Sequence, residues 1–466
     1  MSETNNNQGL GTESIGPLLA KLAVPSVIAQ LVNLLYNIVD RIYIGHIPGV
    51  GASALTGVGL FAPILMLINA FAMLVGSGGA PRAAIAMGRK DNDYACRILG
   101  NCFVMLIALS AILTPIFYFA CPTLLKWFGA SSVTLPYAVT YSRIYIIGTI
   151  CILLVMGLNP FITAQGFASV SMMTTVIGAV INIVLDPVFI FLFNMGVAGA
   201  AIATVISQAV GAIWILKFLS GSKTILKLKP AFMKPDTGVM LSCLALGVST
   251  FIMLSTESIL SISFSSSLAR YGGDLAVGAM TIITSLSQLV MMPVSGFCQG
   301  CQPIVSYNYG AGLKNRVKQT FKYELIICAA YTTLFWLALM VIPRVFAGIF
   351  TSDSTLVEYT AGTMKIYMAG IFALGFQMSC QQTFVALGQA KSAMLMACLR
   401  KLILLIPLIF ILPLILADKV FAVFLAEPIS DIIAAIATTT LFFARFNKTL
   451  DSSGSKIEGK GRENVN

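Results

Sequence analysis

Apolar runs of about twenty residues or more recur roughly twelve times along this chain, separated by short polar connections. A run of that length crosses the hydrocarbon layer as a helix, since a helix satisfies every backbone N–H and C=O within the segment. The runs fall at 22–45, 52–80, 98–125, 137–159, 168–193, 197–219, 239–269, 276–301, 322–349, 359–385, 393–416 and 420–446. Only 10% of the 466 residues are charged, against about 25% in soluble domains. No sizeable soluble domain remains between the runs. Strands of a membrane barrel would be short and alternating, which excludes that architecture. The fold class is an all-α integral membrane protein of about 12 transmembrane helices.

The first run, Lys21 to Pro48, carries a carboxylate, Asp40, well inside. Gln30, Asn33, Asn37 and Asp40 recur at steps of three and four and form one polar stripe on a helix. An Asp near the centre of a membrane helix costs roughly 2.5–3.5 kcal/mol, so it faces protein or a water-filled cavity and often marks an ion or proton path. A structural hydrogen-bond hub is the competing reading. Pro25, one turn into the same helix, removes a ladder hydrogen bond and makes a kink or a hinge.

The formal charge of +11 is topological. Lys and Arg collect on alternate connections: Arg82, Arg89, Lys90 and Arg97; Lys217 to Lys234; Lys314 to Lys322; and Arg445 to Arg462. That is the positive-inside bias, placing both termini in the cytoplasm of a plasma-membrane protein, and it is no nucleic-acid footprint. Residues 1–17 read as a disordered tail and 447–466 as a second tail. Ten cysteines are scattered and the sole histidine, His46, stands alone. Cys298 and Cys301 form the one close pair, at a helix end. No metal site, cofactor or nucleophile–base pair is expected, and hence no enzyme.

A constant offset of 222 residues aligns Ala23 with Ala245, Gly78 with Gly300, Pro81 with Pro303, Gly88 with Gly310, Gly148 with Gly370 and Gly166 with Gly388. One such identity means little; a gapless series means duplication. Six spans are even in number, so the halves have parallel topology about an axis along the membrane normal. The expected units are a bundle at 18–219, a linker at 220–236 and a bundle at 237–446.

Further carboxylates lie in apolar surroundings. Asn182 and Asp186 are four apart, on one face, just before Pro187, and Asp186 stands as many residues from its run's start as Asp40 does. Equal depth makes a shared site possible; a helix cap is the alternative. Glu257 shares a face with Thr250, Ser261 and Ser265. Arg400 and Lys401 in the eleventh run and Glu427 and Asp431 in the twelfth are partners or snorkelling residues and receive no functional role.

These motifs, Pro25…Asn33…Asp40-Arg41, Gly78-x2-Pro81, Asn159 through Ala164-Gln165-Gly166, Asn182-x3-Asp186-Pro187 and Gly300-x2-Pro303, resemble those of the multidrug and toxic compound extrusion (MATE) family, MepA-like branch. The likeness covers residues 17–446. Thr163 departs from the Arg common there. The resemblance implies two pseudo-symmetric six-helix bundles in a V. It implies a monomer that exchanges hydrophobic, often cationic small molecules for H⁺ or Na⁺. Carried over, it assigns coupling to Asp40, surrounded by Asn159, Asn182, Asp186 and Thr204, or to Glu257, with Pro25 as hinge. Low dielectric favours the neutral form of a carboxyl, so a proton and a cationic substrate compete for one charge. The alternative is a flippase for a lipid-linked oligosaccharide or peptidoglycan precursor. That function needs cavity cations for pyrophosphate, and few candidates exist beyond Arg41, Arg143, Arg400 and Lys401.

Overall fold

The computed structural model describes residues 9–351 and 353–463; the outermost tail residues of the sequence reading lie outside them. The chain is a succession of helices: α1 Ile15–Gly45, α2 Gly51–Gly59, α3 Ala62–Gly88, α4 Asn92–Trp127, α5 Leu135–Ile147, α6 Thr149–Ala164, α7 Ala168–Pro187 and α8 Gly196–Leu219. Then follow α9 Thr237–Gly310, α10 Lys314–Val341, α11 Pro343–Gly348, α12 Ser354–Tyr367, α13 Ile371–Ala386, α14 Ala390–Cys398, α15 Ile406–Ile415 and α16 Lys419–Glu463. Helix α9 is two spans, broken at Gly273 where φ is 64°. Among the described residues, ten helical stretches are long and apolar enough to cross a membrane. The pair α5–α6, bent by 57° at Gly148, supplies an eleventh. The run expected at 359–385 is covered by α12 and α13, which part at the Met368–Gly370 turn. The molecule is a multi-pass helical membrane protein.

The duplication is visible in the backbone. Gly166 and Gly388, 222 residues apart, both take positive φ, 89° and 71°, where a bent helix ends. Lys90 and Gly312, at the same offset, do so as well, at 61° and 74°. Contacts repeat too. A Cβ on Gly88 would overlap the carbonyl of Tyr307, and a Cβ on Gly310 would overlap that of Ile85. Ile85 and Tyr307 are themselves 222 apart, so each half presents the same glycine and the same carbonyl to the other. Only glycine permits this approach, the usual device where membrane helices lack a hydrophobic drive to associate.

One end of the molecule gathers the basic connections and both chain ends. Lys314 Nζ lies 2.9 Å from Asp451 Oδ1. Arg316 donates to the carbonyls of Leu10 and Glu13 at 3.1 and 2.7 Å and to Asn308 Oδ1 at 2.9 Å. Leu10, Ile15, Leu18 and Leu22 are buried against Cys301 and Ile304. Described residues 9–17, read from composition as disordered, are therefore packed, because a guanidinium satisfies their carbonyls and the other half covers their leucines. At the other terminus α16 continues to Glu463, so most of the segment read as a tail is helical. The linker is docked as well: Gln165 Oε1 accepts from Thr224 Oγ1 at 2.6 Å and from the amides of Ile225 and Leu226 at 2.8 and 3.0 Å.

Candidate functional site

Helix α1 serves both halves. Through Gln30 it packs on the second half: a Cβ on Gly300 would overlap Ala23, one on Gly296 would overlap Val27, and Gln30 bonds Gln299. Beyond Pro25 it runs along α7 and brings Asp40 into the first half. Asp40 is 9% exposed and Asp186 is fully enclosed. Their carboxyl groups face each other within hydrogen-bonding reach. Asn182 Nδ2 donates to Asp186 Oδ1 at 3.1 Å and to Thr204 Oγ1 at 3.2 Å, and the Thr204 hydroxyl donates back to Ala200 O at 3.0 Å. Four of the residues singled out from sequence, Asp40, Asn182, Asp186 and Thr204, thus form one cluster. The spacing Asn182-x3-Asp186 accomplishes this by stacking both side chains on one face of α7.

The cluster is rich in acceptors. Asp40 Oδ1, Asp186 Oδ2 and Asn182 Oδ1 are buried without a partner, and neither carboxyl is in a salt bridge among the described residues. Two carboxyl oxygens hydrogen-bond to each other only when one carries a proton. Buried acceptors in this number mark a place for a donor or a small cation.

Asn159 stands apart from the carboxyls. It donates to Ser171 O at 3.3 Å and lines a cavity of about 180 Å³ with Gln30, Asn33, Tyr36, Gln299 and Gln302. The polar stripe of α1 therefore divides: Gln30 and Asn33 face this cavity, while Asn37 donates to Asn33 O at 2.6 Å and Asp40 is sealed against α7.

Glu257 lies in the second half, on the wall of a larger cavity of about 880 Å³ that also includes Arg41, Tyr367, Arg400 and Lys401. It pairs with Lys401, and Arg400 pairs with Asp431 at 2.7 Å and Glu427 at 3.2 Å. Gln30 borders both cavities and bonds Gln299 at 3.2 Å. The sequence reading left Arg400, Lys401, Glu427 and Asp431 without a role, because they come from two separate segments whose packing no local pattern shows. It also overlooked Glu324, 1% exposed in α10, which accepts from Thr383 Oγ1 at 3.3 Å. The available signal was a lone acid, Glu324, set immediately before the apolar run LIICAAYTTLFWLAL.

The MatE family model matches this chain twice, over residues 25–188 and 249–411. The chain belongs to the MatE family. The multidrug export protein MepA of Staphylococcus aureus (strain N315) is 24% identical to it over 439 residues, covering 94% of this chain and 95% of the relative. MepA of Staphylococcus haemolyticus (strain JCSC1435) is 24% identical over 92% of this chain and 94% of the relative. A solved MATE structure in the bent conformation superposes with a TM-score of 0.90 at 22% identity, over 97% of this chain and 100% of the other. The outward-facing conformation of a multidrug resistance MATE family transporter of the MOP superfamily gives 0.87 at 22% identity, over 96% and 99%. At that identity the likeness establishes the fold. The two pseudo-symmetric six-helix bundles of the MatE fold are thus the two halves described above.

Proposed function

We propose that this MatE protein is a cation-coupled multidrug exporter that works by alternating access, with its termini cytoplasmic and the Asp40–Asp186 pair as its H⁺ or Na⁺ site. The observation that carries the reading is the set of unpartnered acceptors on Asp40, Asp186 and Asn182. A proton or a small cation is what such a set takes. The names of the MepA relatives support export of small molecules.

Asp40 and Asp186 line neither cavity. Coupling then runs through α1, which carries Asp40 beyond Pro25 and grips the second bundle from Ala23 to Gln30. Loading the carboxyl pair holds the outer part of α1 against α7. Unloading leaves two like charges face to face and drives them apart, and Pro25 lets that movement bend α1 at the seam between bundles. A substrate in the cavities is released by the same movement without touching Asp40.

The test is dye counterflow in proteoliposomes under an imposed proton or sodium gradient. Gradient-driven ethidium movement in the wild type, lost in Asp40→Asn while the variant stays folded, is the expected result. Equal transport in both, or none in the wild type, overturns the reading. Which gradient drives the flux names the ion.

A further inference from the structure

Three carboxyl groups and two cations meet in the second bundle, and the two ion pairs are not alike. In Arg400–Asp431 the side chains are 9% and 6% exposed, so that pair is buried at the back of the cavity wall. In Lys401–Glu257 the ammonium is 5% exposed and the carboxylate 47%. A buried pair braces helices. A pair whose carboxylate stands half open to a large cavity offers a charge that another cation can take.

The local fold prepares this exchange. Residues Leu399–Leu405 form a wide π-helical turn, a feature that recurs at functional sites. It lets the neighbours Arg400 and Lys401 both turn inward, to 7% and 4% exposure. Lys401 Nζ also donates to Met253 O at 3.2 Å, an acceptor that keeps holding it when Glu257 lets go. On its other side Asp431 and Glu427 share a single guanidinium, leaving a carboxyl to receive a displaced ammonium. The cavity beyond Glu257 is walled by Ser261, Ser265, Tyr367, Met280 and Met292. Hydroxyls, one ring and pliant thioethers suit a flat or bulky apolar body bearing one charge.

We propose that Lys401 is a tethered cation that occupies Glu257 while the cavity is empty and yields it to a cationic ligand, here an amphiphilic organic monocation. Binding is then an exchange of ion partners, with Lys401 as the internal competitor that sets the affinity threshold. This assignment rests on the exporter reading for its biological sense; its test does not.

The test is ethidium binding to the purified full-length chain, read by fluorescence anisotropy, with melting temperature as the control for folding. Lys401→Met removes the competitor and should tighten binding about tenfold, the value of a half-open ion pair. Glu257→Gln should weaken it at least about tenfold. Lys401→Arg, whose forked guanidinium holds the carboxylate harder, should weaken it about threefold and serves if Lys401→Met does not fold. Unchanged binding in a folded Lys401→Met, or in Lys401→Arg where only that variant folds, overturns the proposal. If the binding pattern holds but proteoliposomes show no gradient-driven flux, the exporter reading fails and the cation site stands.

Discussion

The two bundles share a backbone plan but surround their clustered acids differently. In the first bundle, Asp40 and Asp186 face each other with amide and hydroxyl neighbours and no salt bridge. In the second, Glu257, Glu427 and Asp431 are each met by Lys401 or Arg400. An unpaired acid in low dielectric gains from a proton or a bound cation, whereas a paired one is held by its partner. Repeated architecture therefore does not imply repeated chemistry: the first half leaves its two facing acids without a cationic partner among the described residues, while the second pairs Glu257, Glu427 and Asp431 and leaves Glu324 with a hydroxyl neighbour.

Substitutions break this comparison most sharply where a pair is buried. Arg400→Met strands Asp431 and Glu427, and should lower stability by about 3–5 kcal/mol, seen as a fall in melting temperature. Arg400→Met combined with Asp431→Leu should recover much of that loss, since removing both partners of a buried pair is often neutral. A drop no larger than that of a surface variant would mean that the second bundle is as loosely compensated as the first.

Asp186→Asn carries the next largest effect, and of a different kind. It should match Asp40→Asn in reducing gradient-driven export at least about a hundredfold, with folding unchanged or improved. Normal export would make Asp186 a capping residue and leave Asp40 to act alone. Pro25→Ala probes the helix that connects the two treatments: exchange should slow several-fold while dye binding holds and thermal stability rises, because an interior proline costs about 3 kcal/mol. Glu324→Gln is the mildest. An acid that accepts from the Thr383 hydroxyl and has no salt bridge among the described residues should tolerate its neutral isostere within about 0.5 kcal/mol, with export intact.

The helical bundle and the carboxyl pair were both legible in the sequence, for one reason. Span length and the Asn182-x3-Asp186 spacing are local properties, and the equal depth of Asp40 and Asp186 follows from rise per residue. The ion-paired group was not legible. Glu257, Arg400 and Asp431 lie on α9, in the π-helical turn and on α16, and nothing in Leu399–Leu405 announces that its turn is wide. Composition misled at residues 9–17, where Gly, Thr and Ser promise disorder but Arg316, three hundred residues away, supplies the partner for their carbonyls.

The reciprocal contact of Gly88 with Tyr307 and of Gly310 with Ile85 is what two copies of a six-helix protein would make across a shared axis. In such a dimer every substitution appears twice, so a carboxyl pair could not be kept bare on one side and neutralised on the other. Joining the copies in one polypeptide freed each from the other's inheritance. The old meeting surface stayed fixed at its glycines, while the two chambers behind it were left to specialise separately.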